Sequence, residues 1–178
     1  MFRKLGRSLS GSLLVALVGP LTLAACGAAD SNGASIIYSP CQPLSVMTEP
    51  DITAAELAGV SVGIALWNSR AGARLMLVPA GNDAVSSSAS MVPVRFQQAA
   101  APFHGYYDSH AGLIFINRQL GTEHERAVTV AHELGHAFGL VHVASGSHPS
   151  VMITGNLVVE PTLSDVDDLA TLWGRCGQ

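Results

Sequence analysis

Eleven consecutive residues, 132–142, constrain this chain more than any other part of its 178-residue sequence. They read HELGHAFGLVH and contain three histidines and one glutamate. Histidines four residues apart lie one turn apart on the same face of a helix, so the imidazoles of His132 and His136 can reach one ion. Gly139 can adopt the left-handed conformation that ends a helix, and the turn can bring His142 back to the same ion. The spacing therefore predicts a helix that ends at a metal site.

The number of ligands indicates what the metal does. Three histidine nitrogens suit zinc and leave its fourth tetrahedral position open for water, as in catalytic zinc sites. Glu133 lies about 100° around the helix from the first ligand, where it can reach that water without binding the metal. Because zinc lowers the pKa of a bound water to about 7, Glu133 can accept its proton as general base. The motif thus predicts a zinc hydrolase, and a helix carrying solvated histidines is the alternative.

A motif of the form HExxHxxGxxH followed by a methionine turn resembles the signature of the metzincin zinc metalloproteases. Met152, in the sequence Ser150-Val151-Met152, lies ten residues after His142. The resemblance implies that Met152 forms an apolar floor beneath the zinc and does not bind it. It also implies an α/β (α+β) metzincin-like zincin fold, with a twisted mixed sheet packed on two long helices and a C-terminal helix. Residues 163–174 look like the closing helix of matrixin-type domains, and the resemblance covers roughly residues 50–174.

Two positions depart from the family pattern. Val143 follows the third histidine, where matrixins usually carry serine, so the branch of the family stays open. Thr154 stands two residues after the methionine, so the tyrosine that some branches use as an extra ligand is absent. Any stabilisation of the oxyanion must then come mainly from zinc.

The N-terminal segment indicates export and anchoring. Three basic residues precede an apolar run from Leu13 to Leu23, and Leu23-Ala24-Ala25-Cys26 is typical of a bacterial lipobox. We expect residues 1–25 to be a lipoprotein signal peptide, and Cys26 to carry acyl chains, including palmitate, that anchor the protein to the bacterial cell membrane or outer membrane. The alternatives are an ordinary secretory signal or an uncleaved anchor, although the apolar run is short for a spanning helix of about 20 residues.

The rest of the chain is long enough for one domain. Residues 26–35 are small and polar, as in a flexible tether, and residues 36–178 hold the predicted catalytic domain. After removal of the signal peptide, six basic residues stand against thirteen acidic ones, a net charge of −7. This charge argues against nucleic acid as a partner, and we expect a monomer that acts on protein or peptide.

Cys41 and Cys176 stand near the two ends of this domain. In an exported chain they predict one disulfide. Two alternatives are free thiols, or Cys41 acting as a zinc-blocking thiolate as in matrixin propeptides. The fuller propeptide motif is missing around Cys41, which argues against latency by that route.

Capping boxes and hydrophobic periodicity locate the other elements. Thr53 and Glu56 predict the start of a helix that runs to about Arg70, with an apolar stripe on its buried face. Two strands should follow it, separated by a Ser- and Gly-rich loop, and then a hairpin. The stripe comprises Leu57, Val60, Ile64 and Trp67; the strands are 74–78 and 91–96, the loop is 81–90, and the hairpin strands are 105–108 and 113–117.

The hairpin resembles the region where metzincins place the strand above the cleft, to which an extended peptide adds as a further strand. His104, Asp108 and His110 are close in sequence there and resemble in part the structural zinc site of matrixins. We expect solvated loop residues at these three positions, and a second metal is the alternative.

Thr122 and Glu125 form the capping box of the active-site helix. Its predicted buried stripe is Ala127, Val130, Ala131, Leu134 and Phe138, and its cleft-facing side carries Glu125, Thr129, His132 and His136. We expect His124 and His148 to be solvated. Residues 157–159 form a plausible apolar wall of a substrate pocket. Ser164 with Asp167 is expected to cap the last helix, and Gly174 to end it.

Together these features predict a membrane-tethered zinc endopeptidase that hydrolyses peptide bonds through a zinc-bound water activated by Glu133. One alternative is a catalytically silent surface lipoprotein that binds a partner. Another is a zinc amidase that acts on cell-wall material. The intact Glu133 favours an enzyme, because a purely structural zinc site needs no base.

Overall fold

The computed structural model of this protein describes residues 35–80 and 90–177. The predicted signal peptide, the lipidation site Cys26 and all of the predicted tether except its last residue lie outside the described residues. The predicted loop 81–90 does as well, apart from Ser90, which is the first residue of a strand. Within the described ranges, no helix has both the length and the apolar character needed to cross a membrane.

In the described part of the chain, five strands form one mixed sheet in the order β2-β1-β3-β5-β4. The strands are β1 (Leu44–Thr48), β2 (Leu75–Val78), β3 (Ser90–Gln97), β4 (Gly105–Asp108) and β5 (Leu113–Asn117). Strand β1 pairs in parallel with β2 and β3, and β3 pairs in parallel with β5. Strand β4 runs antiparallel to β5 and forms one edge of the sheet. The α/β (α+β) architecture with a mixed sheet is therefore as predicted.

Strand β1 is a correction to the sequence analysis, which began the domain with a helix. The strand reads LSVMT, and both of its polar residues are buried, Ser45 at 1% and Thr48 at 2% exposure. Alternation of polar and apolar residues marks a strand with one solvated face, whereas a strand buried among neighbours lacks that alternation. The pairing with two parallel strands, which depends on distant parts of the chain, decides the conformation here.

The helices within residues 35–80 and 90–177 are three, namely α1 (Ala54–Ala71), α2 (Glu123–Ala137) and α3 (Leu163–Trp173). Helices α1 and α2 pack closely because α1 presents two glycines to α2. A Cβ at Gly59 would lie 2.6 Å from Cβ of Arg126, and one at Gly63 would lie 2.9 Å from the carbonyl oxygen of Ala127. The close approach buries the apolar stripes of both helices against the sheet, which fixes α2 as the rigid support of the site.

The predicted stripes are confirmed with one exception. Val60, Ile64 and Trp67 of α1 are buried, and Leu57 is half-buried. All five residues of the α2 stripe are fully buried: Ala127, Val130, Ala131, Leu134 and Phe138. Burial of these side chains supplies most of the free energy that holds the helices on the sheet.

The predicted capping boxes of α1 at Thr53 and of α2 at Thr122 are both present. The predicted cap of α3 is wrong: the N-cap is Thr162, whose capping-box partner is Asp165, and not Ser164 with Asp167. The backbone N–H of Thr162 donates to the Asp165 carboxylate over 2.7 Å. The Ser164 hydroxyl is instead 2.9 Å from Nε2 of His148.

The two ends of the domain are joined covalently. Cys41 and Cys176 form a disulfide that spans 135 residues of sequence, as predicted. The pairing excludes the alternatives in which both cysteines are free thiols or Cys41 blocks the zinc. Closing so long a loop stabilises the fold mainly by restricting the unfolded chain.

Candidate metal site

The C-terminal end of α2 turns the chain back on itself. Phe138 N–H donates to the carbonyl of Leu134 over 2.9 Å, and Leu140 N–H donates to the carbonyl of Gly135 over 2.9 Å. Between them Gly139 has a φ of 93°, in the left-handed region that favours glycine. This turn brings His142 back to the helix, as the spacing of the motif predicts.

The three histidines of the motif converge on one point. Nε2 of His142 lies 3.2 Å from Nε2 of His132 and 3.1 Å from Nε2 of His136. Tetrahedral zinc with Zn–N bonds of 2.0–2.1 Å would hold its nitrogens about 3.3–3.4 Å apart. These two spacings differ from that value by only a few tenths of an ångström, and the ligand atoms of all three histidines lie within 4.8 Å of one another, so the group could hold one metal ion.

Backbone carbonyls fix the orientation of two of these rings. Nδ1 of His132 donates to the carbonyl of Val151 over 2.7 Å, and Nδ1 of His136 donates to the carbonyl of Leu140 over 2.9 Å. A carbonyl can only accept, so the proton of each neutral ring is on Nδ1 and the lone pair is on Nε2. Such partners behind the ring are the usual support of histidines that bind metal.

Burial keeps the histidines neutral. It lowers the pKa of His132 below its usual 6.5, and it lowers that of His136 to about 4, with further lowering from neighbouring imidazoles. His142 is more exposed, and partial burial also lowers its pKa. Because only the neutral imidazole binds a metal, the lowered pKa values favour the metal-binding form of all three rings.

Glu133 lies on the same turn as His132 and is 4% exposed. Burial raises the pKa of its carboxyl to about 8, and the nearby backbone amide of Tyr107 opposes part of that shift. A Cβ added to Gly105 would lie 2.8 Å from Glu133 Oε1, so only a glycine at this position of β4 leaves room for the carboxyl. The edge strand β4 therefore borders Glu133 directly.

The Ser150-Val151-Met152 turn packs against α2 at Gly135 and contacts His132 through the Val151 carbonyl, and the role of Met152 as a floor beneath the zinc stays a prediction. Met152 is 1% exposed, and a Cβ at Gly135 would collide with its sulfur. The glycine of HELGH is thus required by the methionine below it. Met152 N–H donates to Ser150 Oγ over 2.9 Å, which fixes the turn.

Asp165 of α3 holds this turn in place, and the sequence analysis did not assign it that role. The carboxylate is 1% exposed and accepts hydrogen bonds from the hydroxyl of Ser150 and, over 3.1 Å, from the N–H of Val151. The carbonyl of the same residue, Val151, orients His132. The pattern Thr162-x-x-Asp165 is a visible capping signal, but only the tertiary structure directs the carboxylate to the turn.

The remaining candidate residues lie apart from the three histidines. In the described part of the chain, His104, Asp108 and His110 do not form a metal-binding group. Asp108 Oδ1 instead accepts from the backbone N–H groups of His110 and Ala111 and shapes the hairpin turn. His124 and His148 are exposed, as predicted, although each contacts a neighbouring segment.

A cavity of about 200 Å³ opens on another part of the domain, beside the disulfide. Arg70 and Arg175 are among its lining residues, and they are paired with Glu160 at 3.2 Å and with Asp167 at 2.8 Å. The pairing leaves neither guanidinium uncompensated. This cavity therefore gives no reason to place the chemistry away from the histidines.

No family model and no curated protein matches this sequence. Solved structures do match its fold. One is the crystal structure of myroilysin, with a TM-score of 0.53 and 14% identity over 79% of this chain and 87% of that one. Another is archaemetzincin from Methanopyrus kandleri, with a TM-score of 0.53 and 13% identity over 75% of this chain and 96% of that one.

The chain has a metzincin-like fold. At this level of identity, the similarity establishes the fold alone. In this fold the end of α2 and the turn after it bring three histidines together, and the edge strand β4 lies beside Glu133. What the site does must be argued from its own residues.

Proposed function

We propose that this protein is a zinc-dependent endopeptidase. The observation that carries the proposal is the convergence of three Nε2 atoms, 3.1 and 3.2 Å apart across His142, beside the buried carboxyl of Glu133. A site built only to hold a structural metal has four protein ligands and no need of a base. Here three nitrogens and an adjacent base fit a hydrolase.

The proposed roles follow from the donor set. His132, His136 and His142 hold zinc through Nε2. When bound, zinc supplies a Lewis acid that lowers the pKa of a water and polarises a substrate carbonyl. A carboxyl oxygen of Glu133 accepts a proton from the attacking water and delivers it to the leaving nitrogen. A pKa raised from 4.5 to about 8 lies within about one unit of neutral pH, which suits a group that must act first as base and then as acid.

Peptide bonds are the proposed substrate class because β4 offers a sheet edge next to Glu133. Among the described residues, β4 pairs with β5 on one side only, and Gly105 at its start contacts Glu133. An extended peptide can pair its backbone with such an edge and lie across the base. The same chemistry on a compact cell-wall amide would make no use of this edge.

The proposal includes anchoring of the enzyme outside the cytoplasm, through acyl chains on Cys26. Its support is the sequence pattern of the N-terminal segment and the disulfide between Cys41 and Cys176, which persists in oxidising compartments. Labelling cells with a radioactive fatty acid tests this part. Label on the wild-type protein and none on Cys26→Ser is expected, whereas label on both or on neither would contradict it.

The catalytic part is tested with the purified full-length protein and an unstructured protein substrate. We expect cleavage that a chelator abolishes, that added zinc restores, and that Glu133→Ala lowers by a factor of 10² or more with zinc still bound, since general bases contribute about 10²–10⁴. Peptidoglycan serves as the parallel substrate. Release of cell-wall amines without protein cleavage would replace peptidase by amidase, and zinc without either activity would favour the silent binding protein.

A further inference from the structure

Three of the five methionines of this chain lie on one face of the sheet. Strand β1 lies between β2 and β3, and the register of the two parallel pairs places Met76 on one side of Ser45 and Met91 on the other. Residues paired across neighbouring strands point to the same face, and so do residues two apart along one strand. Met47, two residues after Ser45, therefore shares a face with Met76 and Met91.

This face is turned away from the helices. The side chains that alternate with the methionines are buried in the core together with residues of α1 and α2; in β1, β2 and β3 they are Leu44, Val46, Leu75, Val92 and Val94. On the methionine face, Met76 is 50% exposed, Met91 is 43% exposed and Met47 is half-buried. The three thioethers therefore belong to the outer surface of the domain.

The spacing of the strands lets the three sulfurs meet. Neighbouring strands are about 4.8 Å apart and a residue advances a strand by about 3.3 Å, so the Cα of Met47 lies about 8 Å from those of Met76 and Met91. The latter two are about 10 Å apart, and the centre of the triangle is about 5 Å from each Cα. A methionine sulfur is three bonds from its Cα, a span of about 4 Å, and the side chain is flexible. Three side chains that lean inward can thus contact one ion.

Ser45 leaves room for this convergence. It is the residue between Met76 and Met91, and its small side chain does not fill the space above it. Its exposure is 1%, so larger neighbouring side chains cover it. Methionine side chains that lean inward from both sides would cover Ser45 and would also bring their sulfurs together.

The available donors select a soft ion. Thioether sulfur favours Cu(I), whereas zinc, calcium and magnesium prefer imidazole, thiolate or oxygen ligands. Within the described strands, the residues that the register places beside the methionines on this face are Ser45, Val78 and Pro93, which offer no imidazole or carboxylate. A thioether cannot form a disulfide, so these donors stay available in an oxidising compartment of the kind in which disulfides persist.

We propose that Met47, Met76 and Met91 form a binding site for Cu(I) on the outer face of the sheet, with three thioether ligands. Helix α2 packs on the other face, so this site is separate from the three histidines at the end of that helix. The inference therefore goes beyond the proposed peptidase function and does not depend on it.

The test uses full-length, zinc-loaded protein, so that the histidines are occupied, and carries Cys26→Ser throughout, so that no free thiol competes. Cu(I) is supplied as its coloured bicinchoninate complex in anaerobic ascorbate, and loss of the colour reports transfer to the protein. We expect one Cu(I) per chain. Changing Met47, Met76 or Met91 singly to leucine should weaken Cu(I) binding at least about tenfold, since even loss of a group that only supports a ligand costs about 10–100-fold. The triple leucine variant should take up no copper.

Val78→Leu is the matched control, because Val78 pairs with Met47 on the same face but carries no sulfur. Its Cu(I) affinity should equal that of the Cys26→Ser parent, and the leucine variants should stay folded because leucine and methionine have similar volumes. An X-ray absorption spectrum at the copper edge of the parent should show sulfur ligands. Equal Cu(I) affinity of the parent and the triple variant, or a copper shell of nitrogen ligands, would overturn the inference. Cleavage of an unstructured protein should be the same in the parent and the triple variant, and its absence from both would overturn the proposed function instead.

Discussion

Replacing Asp165 with alanine tests how α3 supports the metal site. The buried carboxylate accepts from four groups: the hydroxyl of Ser150, the N–H of Val151, and both the N–H and the hydroxyl of Thr162. Ser150 and Val151 are fully buried, whereas Thr162 is half-buried and can turn to water. Asp165→Ala therefore leaves two buried donors without a partner.

The expected loss follows from these two donors. Each buried donor left unpaired costs about 1–3 kcal/mol, so Asp165→Ala should lower the free energy of unfolding by about 2–6 kcal/mol. For a domain of this size 1 kcal/mol shifts the melting temperature by about 4 °C, so a fall of at least about 8 °C is expected. Zinc should bind about 10–100-fold more weakly, because Val151, whose carbonyl orients His132, loses the carboxylate that holds its N–H.

Thermal unfolding followed by circular dichroism and a zinc competition titration measure the two effects. Asp165→Asn keeps one acceptor oxygen, so its melting temperature and zinc affinity should lie between those of Asp165→Ala and the wild type. Asp168→Ala is the control, because Asp168 is exposed on the same helix, and it should change stability by no more than about 0.5 kcal/mol. A melting temperature and zinc affinity of Asp165→Ala equal to those of Asp168→Ala would refute the reasoning.

Three further predictions concern other parts of the molecule. Gly135→Ala should lower the free energy of unfolding by about 1–3 kcal/mol, because the new Cβ meets the sulfur of Met152. Gly121→Ala is the control, since its Cβ would have its nearest neighbour at 3.4 Å and should not lower stability. Equal melting temperatures of the two variants would contradict this prediction. Replacing Cys41 and Cys176 with serine should lower the free energy of unfolding in urea by about 2–5 kcal/mol, and an unchanged midpoint would show that the disulfide adds no stability. In metal-free protein, the stability that Glu133 contributes is present below its unfolded pKa of 4.5 and is lost as pH rises through its folded pKa of about 8. In metal-free protein, the free energy of unfolding of Glu133→Gln should therefore rise relative to that of wild type by up to about 1.4 kcal/mol per pH unit between these two pKa values, with no further rise above them. A stability difference that does not depend on pH would be inconsistent with a buried neutral carboxyl.

Local signals predicted much of the fold. The hairpin strands Gly105–Asp108 and Leu113–Asn117 lie where their composition and turn residues predict. The capping boxes at Thr53 and Thr122 start their helices at the predicted residues, because each box depends only on four neighbouring residues. The spacing of the three histidines likewise predicted that their side chains converge, because the turn at Gly139 that returns His142 to the helix depends on the local sequence.

Features that depend on distant contacts escaped the sequence analysis. Strand β1 carries two buried polar residues and becomes a strand only through its pairing with β2 and β3. Thr162 and Ser164 both suit a helix cap, and the inward carboxylate of Asp165 decides between them. The contact between Gly105 and Glu133 joins residues far apart in the chain, so no local pattern reports it.

The coordination shell of bound zinc tests the central claim most directly. An X-ray absorption spectrum at the zinc edge of the full-length protein should show three imidazole nitrogens at about 2.0–2.1 Å and one further light atom, as expected for His132, His136 and His142 with an open fourth position. His142→Ala should lose one imidazole from that shell. A sulfur ligand at about 2.3 Å, or a wild-type shell with fewer than three imidazoles, would contradict the account.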